Sequence, residues 1–280
     1  MAKQFRLREG DVTAVDTKTA LTTAGSDTAP GPLTVPQGKK FITAVIVSAV
    51  QNMAAATGFS ALIRLEGPGM SNGPESIAVA AGGNNVATGG NAAKEVRRIA
   101  VNFPVTEANE IQVFAEMMGT DIGGMGVVVG LEFSDAVGEG AGEHKTLTLE
   151  GDITAVDTRT ALNTQGSVST PSKLVPAGYT KIDKIVVVGA ADGLADGKAS
   201  LFLRVGGNAV LGGEQLIPVS TVGRIAVQAG SDAAPQLCSP IVLENLDIAV
   251  SPSDNVSIWA EAAGDDPGTA YVCATLVFAK

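Results

Sequence analysis

Residues 9–26 read EGDVTAVDTKTALTTAGS and residues 150–167 read EGDITAVDTRTALNTQGS, identical at fourteen of eighteen positions. A chain that carries one segment twice is either two copies of one unit or one unit with a paired site, so the extent of the repeat decides its architecture. VPQGKKFITAVIVS from Val35 aligns with VPAGYTKIDKIVVVG from Val175 at an offset of 140, and SALIRLEG from Ser60 meets SLFLRVGG from Ser200 at the same offset, Arg64 on Arg204. Near the ends, VFAEMMGTDIGGMGVVVGLEF from Val113 lies over IWAEAAGDDPGTAYVCATLVF from Ile258 at an offset of 145, which places Glu116 on Glu261 and Phe133 on Phe278. Offsets that drift only from 141 through 140 to 145 leave room for small insertions between two whole copies. The chain reads as a tandem duplication with units over 1–135 and 146–280, joined by a Gly-rich polar linker over 136–145. VRRIAV from Val96 resembles VGRIAV from Val222 only at the discordant offset of 126, so residues 82–110 have no settled counterpart.

Each unit offers seven or eight short runs with strand character, among them FRLR from Phe5, SALIRLEG from Ser60, EIQVFAE from Glu110 and GVVVGLEF from Gly126. Their apolar side chains alternate or form short continuous stretches, and Pro-Gly, Asn-Gly and Asp-Pro-Gly turns separate them. AAKEVRRIA from Ala92, behind a candidate Asn91 cap, predicts one short helix. Eight short strands with Gly-rich connections predict an all-β chain of two tandem jelly-roll-type β-sandwiches arising from an internal duplication. An immunoglobulin-like sandwich is the rival, but the lone Trp259 lies between Cys238 and Cys273 at the wrong spacing and in one half only.

A formal charge of -10 disfavours tight binding of phosphate backbones or anionic lipid. Only the N-terminus runs the other way, where Lys3, Arg6 and Arg8 could touch a genome or an internal membrane weakly; no specific nucleic-acid recognition is expected. MAKQFRLREGD lacks the apolar run of a signal peptide and no stretch suits a membrane span, so a soluble, non-secreted protein is expected.

The one histidine, His144, falls in the linker and reads as a solvated side chain rather than a general base, so catalysis of the Ser/His/Asp kind is not expected. Asp11 with Asp16 and Asp152 with Asp157 form a D-x-x-x-x-D pair in each copy. Carboxylates of that sort can hold calcium, but the dense D-x-D-x-D-G of a calcium loop is missing, and turn-closing side-chain-to-backbone bonds are the expectation. Gly264-Asp265-Asp266, matched by Gly119-Thr120-Asp121, reads as a hairpin turn, and VVVGAADGLADG from Val186 as a loop with no helix to seat a phosphate. Asn255-Val256-Ser257 fits the N-glycosylation rule without support from a secretion signal, and Cys238 and Cys273 read as small hydrophobes in strands. No enzyme activity, catalytic residue, cofactor or metal is expected.

With a tandem pair of jelly-roll-sized units in view, the chain resembles the double jelly-roll major capsid proteins of tailless icosahedral DNA viruses, the lineage that includes adenovirus hexon. VPQGKKFITAVIV and VPAGYTKIDKIVVV look like early strands of each roll, and NEIQVFAEMMGTDIGGMGVVVGLEF and NVSIWAEAAGDDPGTAYVCATLVF look like the closing strands. The resemblance implies a homotrimer whose six rolls form a pseudo-hexameric tile in an icosahedral shell. It also implies other virion proteins as partners, assembly in the host cytoplasm and residence in the virion. The alternative from another class is a tandem β-sandwich ligand-binding or cell-surface adhesion module.

Overall fold

The computed structural model describes residues 3–25, 31–53, 57–84, 90–93, 96–119, 124–138, 142–191, 198–223, 236–238, 240–264 and 269–280. These residues form strands and no helix. The first half holds β1 (Gln4–Val12), β2 (Thr19–Ala20), β3 (Leu33–Thr34), β4 (Phe41–Met53), β5 (Thr57–Glu66), β6 (Glu75–Asn84), β7 (Gly90–Ala93), β8 (Arg97–Pro104), β9 (Glu110–Gly119) and β10 (Gly124–Ser134). The second holds β11 (His144–Ile153), β12 (Thr160–Ala161), β13 (Lys181–Ala191), β14 (Lys198–Gly206), β15 (Gln215–Gly223), β16 (Gln236–Cys238), β17 (Ile241–Leu243), β18 (Ile248–Ala249), β19 (Ser257–Gly264) and β20 (Ala270–Ala279).

Four antiparallel sheets result. Sheet I runs β1-β10-β4 with β7 and β8 along the far edge of β4, and sheet II runs β6-β5-β9 with β2 and β3 along β9. Sheet III runs β11-β20-β13 with β17 and β18 along β13, and sheet IV runs β12-β19-β14-β15. In each half the first strand lies beside the last and the chain passes repeatedly from one sheet to the other, which is jelly-roll winding. Corresponding registers agree: Gln4 faces Phe133 as Lys145 faces Phe278, and Arg64 faces Phe114 as Arg204 faces Trp259. Register shifts recur as well, between Ile42 and Ala44 and again between Ile182 and Lys184.

Alternation along the strands fills two separate cores. Sheets I and II enclose Phe59, Phe103, Phe133, Ile63, Val113 and Leu131, while sheets III and IV enclose Phe278, Leu149, Leu203, Val205, Ile258 and Leu276. A third, smaller cluster joins Leu62, Ala78, Ala81 and Met118 of sheet II to Val188, Ala190 and Cys273 of sheet III. The sheets therefore stack in the order I, II, III, IV, and the two rolls meet face to face across II and III. Burial of the last strands records this order. In β10 buried and half-buried residues alternate over Met125–Leu131 because the outer face of sheet I is open, whereas β20 is buried at every position because sheet III is covered on both sides.

Two expectations change, and one unsettled match is resolved. The segment around Ala92 is strand, not helix: Ala92 lies in β7 and Arg97 begins β8, both paired with β4, and residues 94–95 lie outside the described residues. VRRIAV has its counterpart at β17, since Arg98 faces Ile46 as Val242 faces Val186, while Val222 and Gly223 of VGRIAV end β15 and its remaining residues lie outside the described residues. The linker expected over 136–145 yields its last two residues to β11, because His144 already pairs with Ala279; His144 is wholly buried rather than solvated.

Candidate assembly interface

The seam between sheets II and III buries charged and hydroxyl side chains, and its chemistry starts from strand parity. Core-facing Phe59, Ala61, Ile63 and Leu65 of β5 force Ser60, Leu62 and Arg64 to the opposite face, which the second roll covers. An arginine there needs an anion, and Glu116 of β9 supplies one: Arg64 Nε lies 2.6 Å from Glu116 Oε1, both residues being at most 5% exposed. The loop after β12 closes over this pair. Arg64 Nη2 donates to the Gln165 carbonyl and Ser167 N donates to Glu116 Oε2 at 2.8 Å. Gly166 fits because it carries no side chain, as a Cβ there would stand 1.8 Å from Glu116 Oε2.

The edge of β6 is satisfied by hydroxyls of sheet III. Ser76 N donates to Thr146 Oγ1 at 2.9 Å, Ala78 N donates to Thr275 Oγ1 at 2.8 Å, and Thr148 Oγ1 donates to the Ser76 carbonyl at 2.7 Å. These bonds remove the cost of burying unpaired backbone amides. Beside them Glu75 holds Lys145 Nζ at 2.9 Å and accepts from Thr146, and burial still pushes its carboxyl up to about 7. Glu150 accepts from Ser60 Oγ at 3.3 Å and from Thr164 Oγ1 at 2.8 Å, and burial, with Asp16 adding to it, raises it to about 7. At the end of the seam the Tyr271 ring occupies the space over Gly58, where a Cβ would come within 2.0 Å of it. β16 adds a hydrogen-bonded crossing, since this second-half strand pairs antiparallel with β6 of the first roll.

Of the acidic pairs only Asp16 and Asp157 lie in turns, whereas Asp11 and Asp152 are strand residues of β1 and β11 rather than the turn-closing groups expected. Asp16 and Asp157 take the same left-handed conformation, φ 49° and 48°, which aspartate tolerates, and their amides donate to Met117 O and Ala262 O at 2.7 Å. The expected side-chain-to-backbone bonds come from the neighbours, Thr17 to the Val15 carbonyl and Thr158 to the Val156 carbonyl, each at 3.0 Å. Asp11 and Asp152 are exposed, and no group of three potential metal ligands gathers among the described residues. His144 packs with Nε2 3.6 Å from Asp183, and burial, aided by Lys184, lowers it to about 4. Cys273 lies buried in β20 and Cys238 lies in β16. Asn255 is exposed, bridges to Leu174 and accepts at its carbonyl from Ala209 N at 3.0 Å. Thr120, Asp121, Asp265, Asp266 and residues 192–197 lie outside the described residues.

The basic N-terminus is a sheet strand rather than a free arm. Lys3 reaches Glu132 at 2.9 Å, and Arg8 donates to the Gly31 carbonyl. Glu132 is opposed by burial, but its bonds from Lys3, Thr43 and Arg98 prevail and hold it near 2.

No chemical motif marks Arg64 and Glu116 in the sequence, although their recurrence as Arg204 and Glu261 is visible there as an offset match. In the second roll this pair sits on the outer face of sheet IV, with Arg204 Nε 2.5 Å from Glu261 Oε1 and Glu214 and Arg159 beside them. That face is apolar around the pair: Phe202, Leu216 and Pro218 line a depression of about 470 Å³, and Leu216 is 57% exposed. At the opposite end, the outer face of sheet I exposes Phe5 at 55%, Leu7 at 41% and Val50 at 49%.

No protein-family model matches the chain, and no curated protein matches it. Among solved structures it is similar to PNGF-II, at 8% identity and a TM-score of 0.43, covering 99% of this chain and 65% of that one. It is also similar to a peptide-N(4)-(N-acetyl-beta-D-glucosaminyl) asparagine amidase, at 7% identity and 0.40, covering 99% and 96%. A third likeness is to an archaeal virus protein described by its triple jelly roll fold and turret assembly, at 8% identity and 0.23, covering 98% and 88%. The chain thus spans just under two thirds of the PNGF-II structure. With TM-scores below 0.5, none of these likenesses assigns an activity or a partner to this chain.

Proposed function

We infer that this chain is a structural assembly protein, a capsid subunit of a virion, whose work is to associate with its own copies. The observation that supports this reading is that one jelly roll already binds another inside the chain across facing sheets, through apolar contacts, hydroxyl-to-amide bonds and the Glu75–Lys145 ion pair. A fold unit that packs on its like in this way is a tile. The resemblance to double jelly-roll capsid proteins extends the reading to a homotrimer of six rolls, since a heterologous contact repeated by one rotation closes as a ring when that rotation divides a full turn.

The test is light scattering coupled to size exclusion, followed by electron microscopy of the concentrated protein. Trimers or shells are expected. A chain that remains monomeric at the highest attainable concentration overturns the reading and favours a ligand-binding or adhesion module.

A further inference from the structure

The seam joins the outer face of sheet II to the outer face of sheet III. By the repeat, sheet IV is the equivalent of sheet II and sheet I the equivalent of sheet III. The chain therefore ends in the two faces that its middle joins. We propose that sheet IV of one copy docks on sheet I of a second copy, head to tail, in the register of the internal seam. The proposal rests on the self-assembly reading above and names the surface and the partner.

Positions in contact across the seam have changed together on the two end faces. Inside, Glu75 is paired with Lys145; their equivalents are Gln215 and Gln4, so both charges are gone. Inside, Ser76 meets Thr146 and Thr148 through hydrogen bonds; the equivalents are Leu216 facing Phe5 and Leu7, so both sides have become apolar and all three are exposed. Inside, the Ala78 amide donates to Thr275; outside, Pro218 has no amide hydrogen and Gly130 has no hydroxyl. Surfaces facing only solvent have no reason to lose a donor and an acceptor, or two opposite charges, as pairs.

Residues that anchor the seam are kept at the equivalent positions. Ser60 and Glu150 have Ser200 and Glu9 as their equivalents, and the Arg64–Glu116 clamp recurs as Arg204–Glu261. The loop that closes on the clamp recurs at Ala24 and Gly25, held alike: Glu9 accepts from Gly25 N at 2.8 Å as Glu150 accepts from Gly166 N at 3.3 Å. In the docked pair Arg204 of one copy faces the Ala24 carbonyl of the next, the equivalent of the Gln165 carbonyl that Arg64 binds inside the chain. This accounts for the duplicated EGD segment, because its two copies then close the same clamp, one within the chain and one between chains.

The test uses two full-length variants, Leu216→Glu on sheet IV and Leu7→Glu on sheet I, followed by analytical ultracentrifugation of each alone and of their mixture. Both sites are exposed, so each variant is expected to stay folded, with the circular dichroism of the wild type. Each alone is expected to associate at least tenfold more weakly than wild type, and the mixture to form one-to-one heterodimers and nothing larger, through the one intact face left on each. Homodimers of either variant alone would overturn the head-to-tail register. Wild-type-like assembly of both variants would place the contact elsewhere and overturn the proposal while sparing the function. A monomeric wild type would overturn the function itself and this proposal with it.

Discussion

Arg64 and Glu116 face one another across β5 and β9 at 2.6 Å, sealed beneath the second roll, while the same two residue types in the same register recur as Arg204 and Glu261 on the outer face of sheet IV, which no second roll covers. One local structure thus exists in a covered and an uncovered setting within a single chain.

The two settings separate energetically. Arg64→Ala strands a buried carboxylate and is expected to lower stability by roughly 3–5 kcal/mol. Arg204→Ala leaves Glu261 with a second cation, Arg159 at 3.4 Å, on a face that no second roll covers, and is expected to lower the urea midpoint less than Arg64→Ala does. Urea denaturation of the two variants measures both, and equal losses would contradict the sealing of Glu116.

Stability is expected to rise as pH falls from about 8 to about 5. Glu75 and Glu150 stand at about 7 when folded against an ordinary 4.5, so their contribution is complete below 4.5 and is lost as pH rises through 7. His144, at about 4 against 6.5, acts oppositely, its contribution fading as pH falls from 6.5 to 4. Between about 4.5 and 6.5 two glutamates outweigh one histidine. Thermal midpoints across that range check the sign, and Glu150→Gln should flatten the profile; a midpoint that climbs with pH would refute the assignment.

Gly58→Ala drives a methyl group into the Tyr271 ring and is expected to cost about 1–3 kcal/mol. Adding Tyr271→Ala should recover most of that loss if the clash is its cause, which calorimetry of the single and double variants would reveal.

Phe133→Ala and Phe278→Ala open cavities in two separate cores and should each cost about 3–5 kcal/mol. Because the rings belong to different clusters, the double variant should lose the sum, as read from denaturant midpoints.

Much of the fold was legible because jelly-roll strands obey period two and because the chain states each strand twice. Phe133 over Phe278 and Arg64 over Arg204 located strands that the structure places in equivalent registers. The failures fall where that help ended. The apolar run near Ala92 fits a helix as well as a strand until β4 offers an edge to pair with. VGRIAV imitated VRRIAV by composition alone, and only the pairing of Val242 with Val186 exposed the true counterpart. His144 has a polar, Gly-rich neighbourhood in sequence and a buried one in space.

By itself the sequence determined the strand alternation, the turns and the existence of two like units, because these depend on neighbours a few residues apart and on repetition. Which sheet of one roll would lie on which sheet of the other was decided only in the tertiary structure. Strand parity says that Ser60, Leu62 and Arg64 share a face but not what covers it; Ser200, Phe202 and Arg204 share the same pattern on a face open at the end of the molecule. Burial of a charged side chain is a property of packing over long separations, and no local pattern encodes it.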